Sequence, residues 1–142
     1  MNIAYFIKPK SAVSFVFSNN TVRQVVEKMK FHGHSAIPVL NSGGEYVGTV
    51  TEGDLLWATY GKDSEEYAKV KIKNIIKPDR VETVSVFSQM DELLCKITEQ
   101  NFVPVVDANG YFMGIVTRRD VMKYYNSMFN EFVTDGFVGI TD

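Results

Sequence analysis

Residues 36–56 and 102–122 align without a gap at an offset of 66, and seven of the 21 columns are identical. The identities are Pro38 with Pro104, Val39 with Val105, Gly44 with Gly110, Gly48 with Gly114, Val50 with Val116, Thr51 with Thr117 and Asp54 with Asp120. This internal repeat constrains the fold more than any other feature. A chain that carries one supersecondary unit twice must bury the apolar face of each copy, and the nearest partner is the other copy. Upstream the match continues at slightly larger offsets. Val22, Val25, Val26 and Met29 correspond to Met90, Leu93, Leu94 and Ile97 at 68, and Phe6-Ile7-Lys8-Pro9 corresponds to Ile75-Ile76-Lys77-Pro78 at 69. The repeat therefore begins almost at residue 1.

Each copy follows the same plan. An extended lead-in precedes a helix whose apolar residues recur at i, i+3, i+4 and i+7, with Asn20 and Ser88 as the expected N-caps. A short strand follows at 37–40 or 103–106, then a turn through Asn41-Ser42-Gly43-Gly44 or Asp107-Ala108-Asn109-Gly110. Gly and Asn accept the positive φ such turns need. A second strand is expected at 46–50 or 112–116, and a second helix opens near Asp54 or Asp120. The predicted fold class is α/β of the α+β type: two β-α-β-β-α units packed pseudo-symmetrically through their sheets. The expected divisions are 1–69 for the first copy with its connecting segment, 70–130 for the second and 131–142 for a C-terminal tail. Asp63-Ser64-Glu65-Glu66 reads as a polar surface stretch, and residues 71–78 as the segment that brings the chain into the second copy.

Bulk properties exclude several functions. With 142 residues, 45% hydrophobic and 23% charged, the chain has the composition of an ordinary globular protein and can bury a core. No run of about 18 apolar residues is present, so no membrane span is expected, and the N-terminus lacks the order of a signal peptide, which points to the cytoplasm. The formal net charge is −2 with Lys and Arg dispersed, which argues against nucleic acid as a partner. Cys95 is the single cysteine, so no internal disulfide or thiolate cluster is possible, and it is expected as a small apolar filler. His32-Gly33-His34 sits at a helix end without a third ligand beside it, and no metal site is expected. No P-loop, nucleophile elbow or Ser/His/Asp signature occurs, so the chain is not expected to be an enzyme.

The repeated segment with chemical content is Gly48-Thr49-Val50-Thr51-Glu52-Gly53-Asp54, matched by Gly114-Ile115-Val116-Thr117-Arg118-Arg119-Asp120. It lies where a strand ends and a helix begins, where free backbone N–H groups and the helix dipole favour a polar or anionic ligand. Thr-x-x-Asp is equally a capping-box variant, in which Thr caps the helix and Asp reaches back from N3.

Taken with Ile37-Pro38-Val39 and Val103-Pro104-Val105, these segments resemble two cystathionine-β-synthase (CBS) repeats, and the resemblance covers the chain to about residue 130. It implies a regulatory pair whose inter-repeat clefts hold AMP, ADP, ATP, S-adenosylmethionine or a cyclic dinucleotide. The adenine nucleotide would act as a regulatory ligand, with no cofactor required. Asp54 and Asp120 would accept hydrogen bonds from ribose hydroxyls, Thr51 and Thr117 would face phosphate, and Ser35, Ala36, Ile37, Phe102 and Val103 would line the adenine slot. A homodimer and a separate effector protein are also implied.

The copies differ where charge matters. Arg118 and Arg119 in the second stand opposite Glu52 and Gly53 in the first. Because Arg pairs bidentately with phosphate and Glu repels it, the cleft fed by Thr117, Arg118 and Asp120 is expected to be the better site. Lys77 and Arg80 are secondary phosphate candidates. Val121, Tyr125, Met128 and Phe132, with Met122 and Phe129 beside them, form a wide apolar helical face that packs on the chain's own body or meets a second molecule.

Overall fold

A computed structural model describes residues 1–134. In chain order the strands are β1 (Lys8–Pro9), β2 (Val16–Phe17), β3 (Ala36–Leu40), β4 (Tyr46–Thr51), β5 (Val84–Ser85), β6 (Phe102–Val106) and β7 (Phe112–Thr117). The helices are α1 (Val22–His32), α2 (Glu52–Thr59), α3 (Ser64–Ala68), α4 (Met90–Ile97) and α5 (Arg118–Phe132). One sheet runs β2-β3-β4 and the other β1-β7-β6-β5. In each, a two-residue strand pairs parallel to the first strand of a hairpin, β2 with β3 and β5 with β6. Both hairpins carry a register shift at the same column, Val39/Leu40 and Val105/Val106.

Two cores follow from the apolar stripes. Val22, Val25 and Met29 of α1 pack with Val16, Ile37, Val39, Val50 and Leu55, while Met90, Leu93 and Ile97 of α4 pack with Val84, Val103, Val105, Val116 and Val121. The copies meet at their hairpin turns, where Tyr46 N–H donates to the Gly110 carbonyl at 3.0 Å and Phe112 N–H to the Gly44 carbonyl at 3.1 Å. These two bonds interchange under the offset of 66, which is the signature of a pseudo-twofold axis. The Tyr46 and Phe112 rings, also equivalent, stack with centroids 6.3 Å apart.

The lead-ins cross between copies, which corrects the expected path of residues 71–78. Ile72 is buried in the first core, with Ile75 and Ile76 against it, and Ile3 and Phe6 are buried in the second. Likewise β1 pairs with β7, Lys8 opposite Ile115 and Pro9 opposite Gly114. A Cβ on Gly114 would lie 2.1 Å from the Lys8 carbonyl oxygen, so glycine is required there by close backbone approach.

Several local expectations shift. The N-caps are Thr21 and Gln89, one residue later than expected. Thr21 forms a reciprocal capping box with Gln24, whereas Asn20 and Ser88 close the preceding turns by accepting from Phe17 N–H and Ser85 N–H. The polar stretch at 63–66 is the start of α3, because Asp63 caps Glu65 and Glu66 N–H. Cys95 is exposed rather than a filler. On α5, Val121 is buried but Met122, Tyr125, Met128 and Phe129 are exposed, so among the described residues this part of the face is not covered by the chain's own body. The expected tail beyond residue 134 lies outside the described residues. No helix among the described residues is long and apolar enough to cross a membrane.

Candidate functional site

Strand alternation decides which residues reach the inter-repeat space. In β3, Ile37 and Val39 turn into the first core, leaving Ala36 and Pro38 on the opposite face; in β6, Val103 and Val105 turn inward and Phe102 is left for the cleft. A cleft of about 350 Å³ is thereby lined by Ser35, Ala36 and Pro38 of the first copy and Phe102, Ile115 and Thr117 of the second. Residues 12–14 of the first lead-in, Lys8, His34 and Asn101 complete its wall. The side chains of Ile37 and Val103, expected in the adenine slot, are instead wholly buried in the cores. The volume lies at the lower end of the range for small-molecule sites.

Thr117 caps α5: its Oγ1 accepts the Asp120 N–H at 3.1 Å. A hydroxyl that accepts in a cap keeps its own proton to donate, so capping does not exclude a ligand contact. The Asp120 carboxylate returns no bond to Thr117 N–H and makes no hydrogen bond or ion pair among the described residues. It lines an adjoining hollow with Lys8, Lys123 and Tyr124, and Lys8 is common to both spaces.

The same motif in the first copy is satisfied differently. Thr51 Oγ1 accepts Asp54 N–H at 3.1 Å, and Asp54 Oδ2 accepts Thr51 N–H at 2.9 Å, a complete capping box. Arg80 adds a two-pronged ion pair, Nη1 on Asp54 Oδ1 and Nη2 on Oδ2 at 2.7 Å, and Nη2 also donates to the Thr49 carbonyl at 3.3 Å. The Asp54 side chain is only 3% exposed. Burial alone would raise its carboxyl, but the Arg80 and Thr51 hydrogen bonds outweigh that and hold it below the ordinary carboxylate value. Nearby Tyr46, whose hydroxyl pairs with Thr49 Oγ1 at 2.7 Å, is pushed up to about 12 by burial.

The expected charge asymmetry is not carried into the cleft by Arg118 and Arg119. Arg118 Nε donates to the Ile97 carbonyl at 2.8 Å and Nη2 to the Thr98 carbonyl at 3.2 Å, so its guanidinium satisfies the C-terminal end of α4 rather than facing a phosphate. Arg119 lies beside it on the outer surface with Met122 and Asn126, away from the cleft wall. Lys77 is exposed, and Arg80 is bound to Asp54. The cationic group in the Thr117 cleft is Lys8, with the His34 imidazole on the same wall, neither of which was expected from the motif. The repeat held a signal for Lys8, because it shares a column with Lys77. Among the described residues no group of three His, Cys, Asp or Glu side chains is placed to hold a metal ion.

A family model described as "CBS domain" matches residues 7–61 and 72–127. An uncharacterised protein of Methanopyrus kandleri is 29% identical over 107 residues, covering 72% of this chain and 53% of the relative. One of Methanocaldococcus jannaschii is 30% identical over 112 residues, covering 76% of this chain and 38% of the relative. The chain thus spans about half or less of the length of these relatives. Among solved structures, Listeria monocytogenes CbpB in complex with c-di-AMP superimposes with a TM-score of 0.83 at 25% identity, covering 90% of this chain and 97% of that one.

Proposed function

Because this chain belongs to the CBS domain family, with one CBS domain over residues 7–61 and another over 72–127, we propose that it is a regulatory module that binds an adenine nucleotide in the Thr117 cleft. The observation that carries this reading is the Asp120 carboxylate, which is ionisable, without a partner among the described residues, and next to a cleft built from both copies. A carboxylate can accept two ribose hydroxyls at once, Phe102, Ala36 and Pro38 supply an apolar slot for a flat base, and Lys8 supplies charge for phosphate. Binding between two copies acts as a switch when the ligand favours one arrangement of them over another, and a partner protein reads the shift. A second copy of the chain covers exposed apolar residues of α2 and α5, the two helices that follow Thr51 and Thr117 at equivalent places in the repeats. Within the same ligand class, the likeness to a protein solved with c-di-AMP favours a cyclic dinucleotide on equal terms with AMP, ADP or ATP.

A thermal-shift panel of AMP, ADP, ATP, S-adenosylmethionine, NAD and cyclic di-AMP tests the reading, since a ligand that binds only the native state raises the midpoint by mass action. At a concentration 100 times Kd the gain is about 2.7 kcal/mol. The expected outcome is a rise with at least one of them that Asp120→Ala abolishes while the unliganded midpoint is kept. No rise with any would favour a ligand-free interaction module, and unfolding of the variant would assign Asp120 to the cap.

A further inference from the structure

Arg80 sets the two copies apart more sharply than any residue inside the repeated motifs. At its offset of 69 the first lead-in carries Ser11, which is too short to reach a carboxylate across the cleft and is exposed in a turn. The second lead-in carries Arg80, and both of its terminal nitrogens are spent on Asp54 and the Thr49 carbonyl. Building on the nucleotide reading above, we propose that Arg80 is a built-in plug: it occupies the ribose-accepting carboxylate of the first copy, so the chain holds one nucleotide, at Thr117, and not two.

Relative strengths support the plug. Arg80 meets both oxygens of Asp54 with two donors and an opposite charge, whereas a ribose hydroxyl can replace a hydrogen bond but not the ion pair, so it does not displace Arg80 on equal terms. Displacement would also strand Arg80 beside an almost fully buried carboxylate that the hydroxyls cannot neutralise. Asp54 Oδ2 is shared further with Thr51 N–H, leaving little acceptor capacity over. Asp120 has no such competitor among the described residues, because Ser11 stands in the column of Arg80. The functional asymmetry between copies is thus set by one residue outside the motif, supplied by the lead-in that crosses from the other copy.

Carboxyl footprinting of the whole chain, with a water-soluble carbodiimide and an amine read out by mass spectrometry, tests the plug without any nucleotide. Asp120 should be modified readily and Asp54 protected in the unaltered protein, and Arg80→Ser should expose Asp54. Modification of Asp54 at the rate of Asp120 in the unaltered chain, or continued protection in the variant, overturns the plug. Because the first comparison needs no substitution, it decides the matter even if the variant does not fold. Equilibrium dialysis with labelled AMP, ATP and cyclic di-AMP then reads the count. The expected result is one bound nucleotide per chain for the unaltered protein, two for Arg80→Ser, none for Asp120→Ala and one for the double variant. Two per chain without any substitution overturns the proposal. Binding of none of these probes to any variant overturns the nucleotide reading and the count, while the footprint still decides the closure.

Discussion

Asp54 and Asp120 share a column of the repeat, yet their carboxylates meet different neighbours. The first is buried against Arg80 and Thr51 N–H, and the second has no partner among the described residues. The consequence for stability can be signed. The folded-state value of Asp54 lies below the ordinary one, so the unfolded chain binds the proton more readily. Its contribution is complete above the ordinary carboxylate value near 3.9 and is lost as the pH falls through the folded value. Chemical denaturation at pH 7 and in stepped acid should show stability falling over that acid window. In Arg80→Ala, burial is left to act on the carboxyl with only Thr51 opposing it, so its folded value rises toward or past the ordinary one and the acid loss contributed by Asp54 should shrink or reverse. At pH 7 that variant should be less stable by about 2–3 kcal/mol, below the usual figure for breaking a buried pair because Arg80 is itself 35% exposed. An unchanged acid profile would show that the pair contributes nothing.

At the scale of elements, the lead-ins are the informative pieces. Each belongs to one copy by sequence and to the other by packing: Ile72 is wholly buried in the first core and Ile3 in the second, each beside a helix whose first turn it helps to seat. Val22 N–H donates to the Val70 carbonyl at 2.9 Å and Met90 N–H to the Met1 carbonyl at 2.9 Å, so each lead-in also satisfies an N-terminal donor of the opposite helix. Ile72→Ala and Ile3→Ala should each cost about 2–5 kcal/mol in urea denaturation, the range for truncating a buried isoleucine. A loss well under 1 kcal/mol for either would show that the crossing is ornamental.

For the whole molecule, about half of the large apolar side chains exposed among the described residues lie on the second helix of each copy or at its end. Leu56, Trp57 and Tyr60 extend along α2 and its end, and Met122, Tyr125, Met128 and Phe129 along α5. Trp57 is 73% exposed and Phe129 62% exposed, values that a monomer seldom leaves clustered. If a second copy covers them, sedimentation velocity should report a dimer, and Trp57→Glu with Phe129→Glu should yield a monomer with unchanged circular dichroism. A monomeric unaltered chain would refute the self-association.

What could be read from the sequence was what repeats. Helical spacing located α1, α4 and their buried stripes, paired glycines located the turns, and Thr-x-x-Asp located both helix starts, because each of these is set by residues close together in the chain. The caps were missed by one residue, since Asn20 and Ser88 are as able to close the preceding turn as to cap the helix. Which copy a lead-in packs on, which face of β3 and β6 meets the cleft, and where a guanidinium goes are decided by groups far apart in sequence. Arg118 looked like the phosphate ligand because it lies within the motif, but the nearby carbonyls of α4 take it. Arg80 looked like a secondary phosphate ligand, and only the crossing of the second lead-in brings it the 26 positions back to Asp54. The sequence by itself determined two equivalent units, and the tertiary structure made them unequal, because a long charged side chain binds whichever opposite charge the fold sets within its reach.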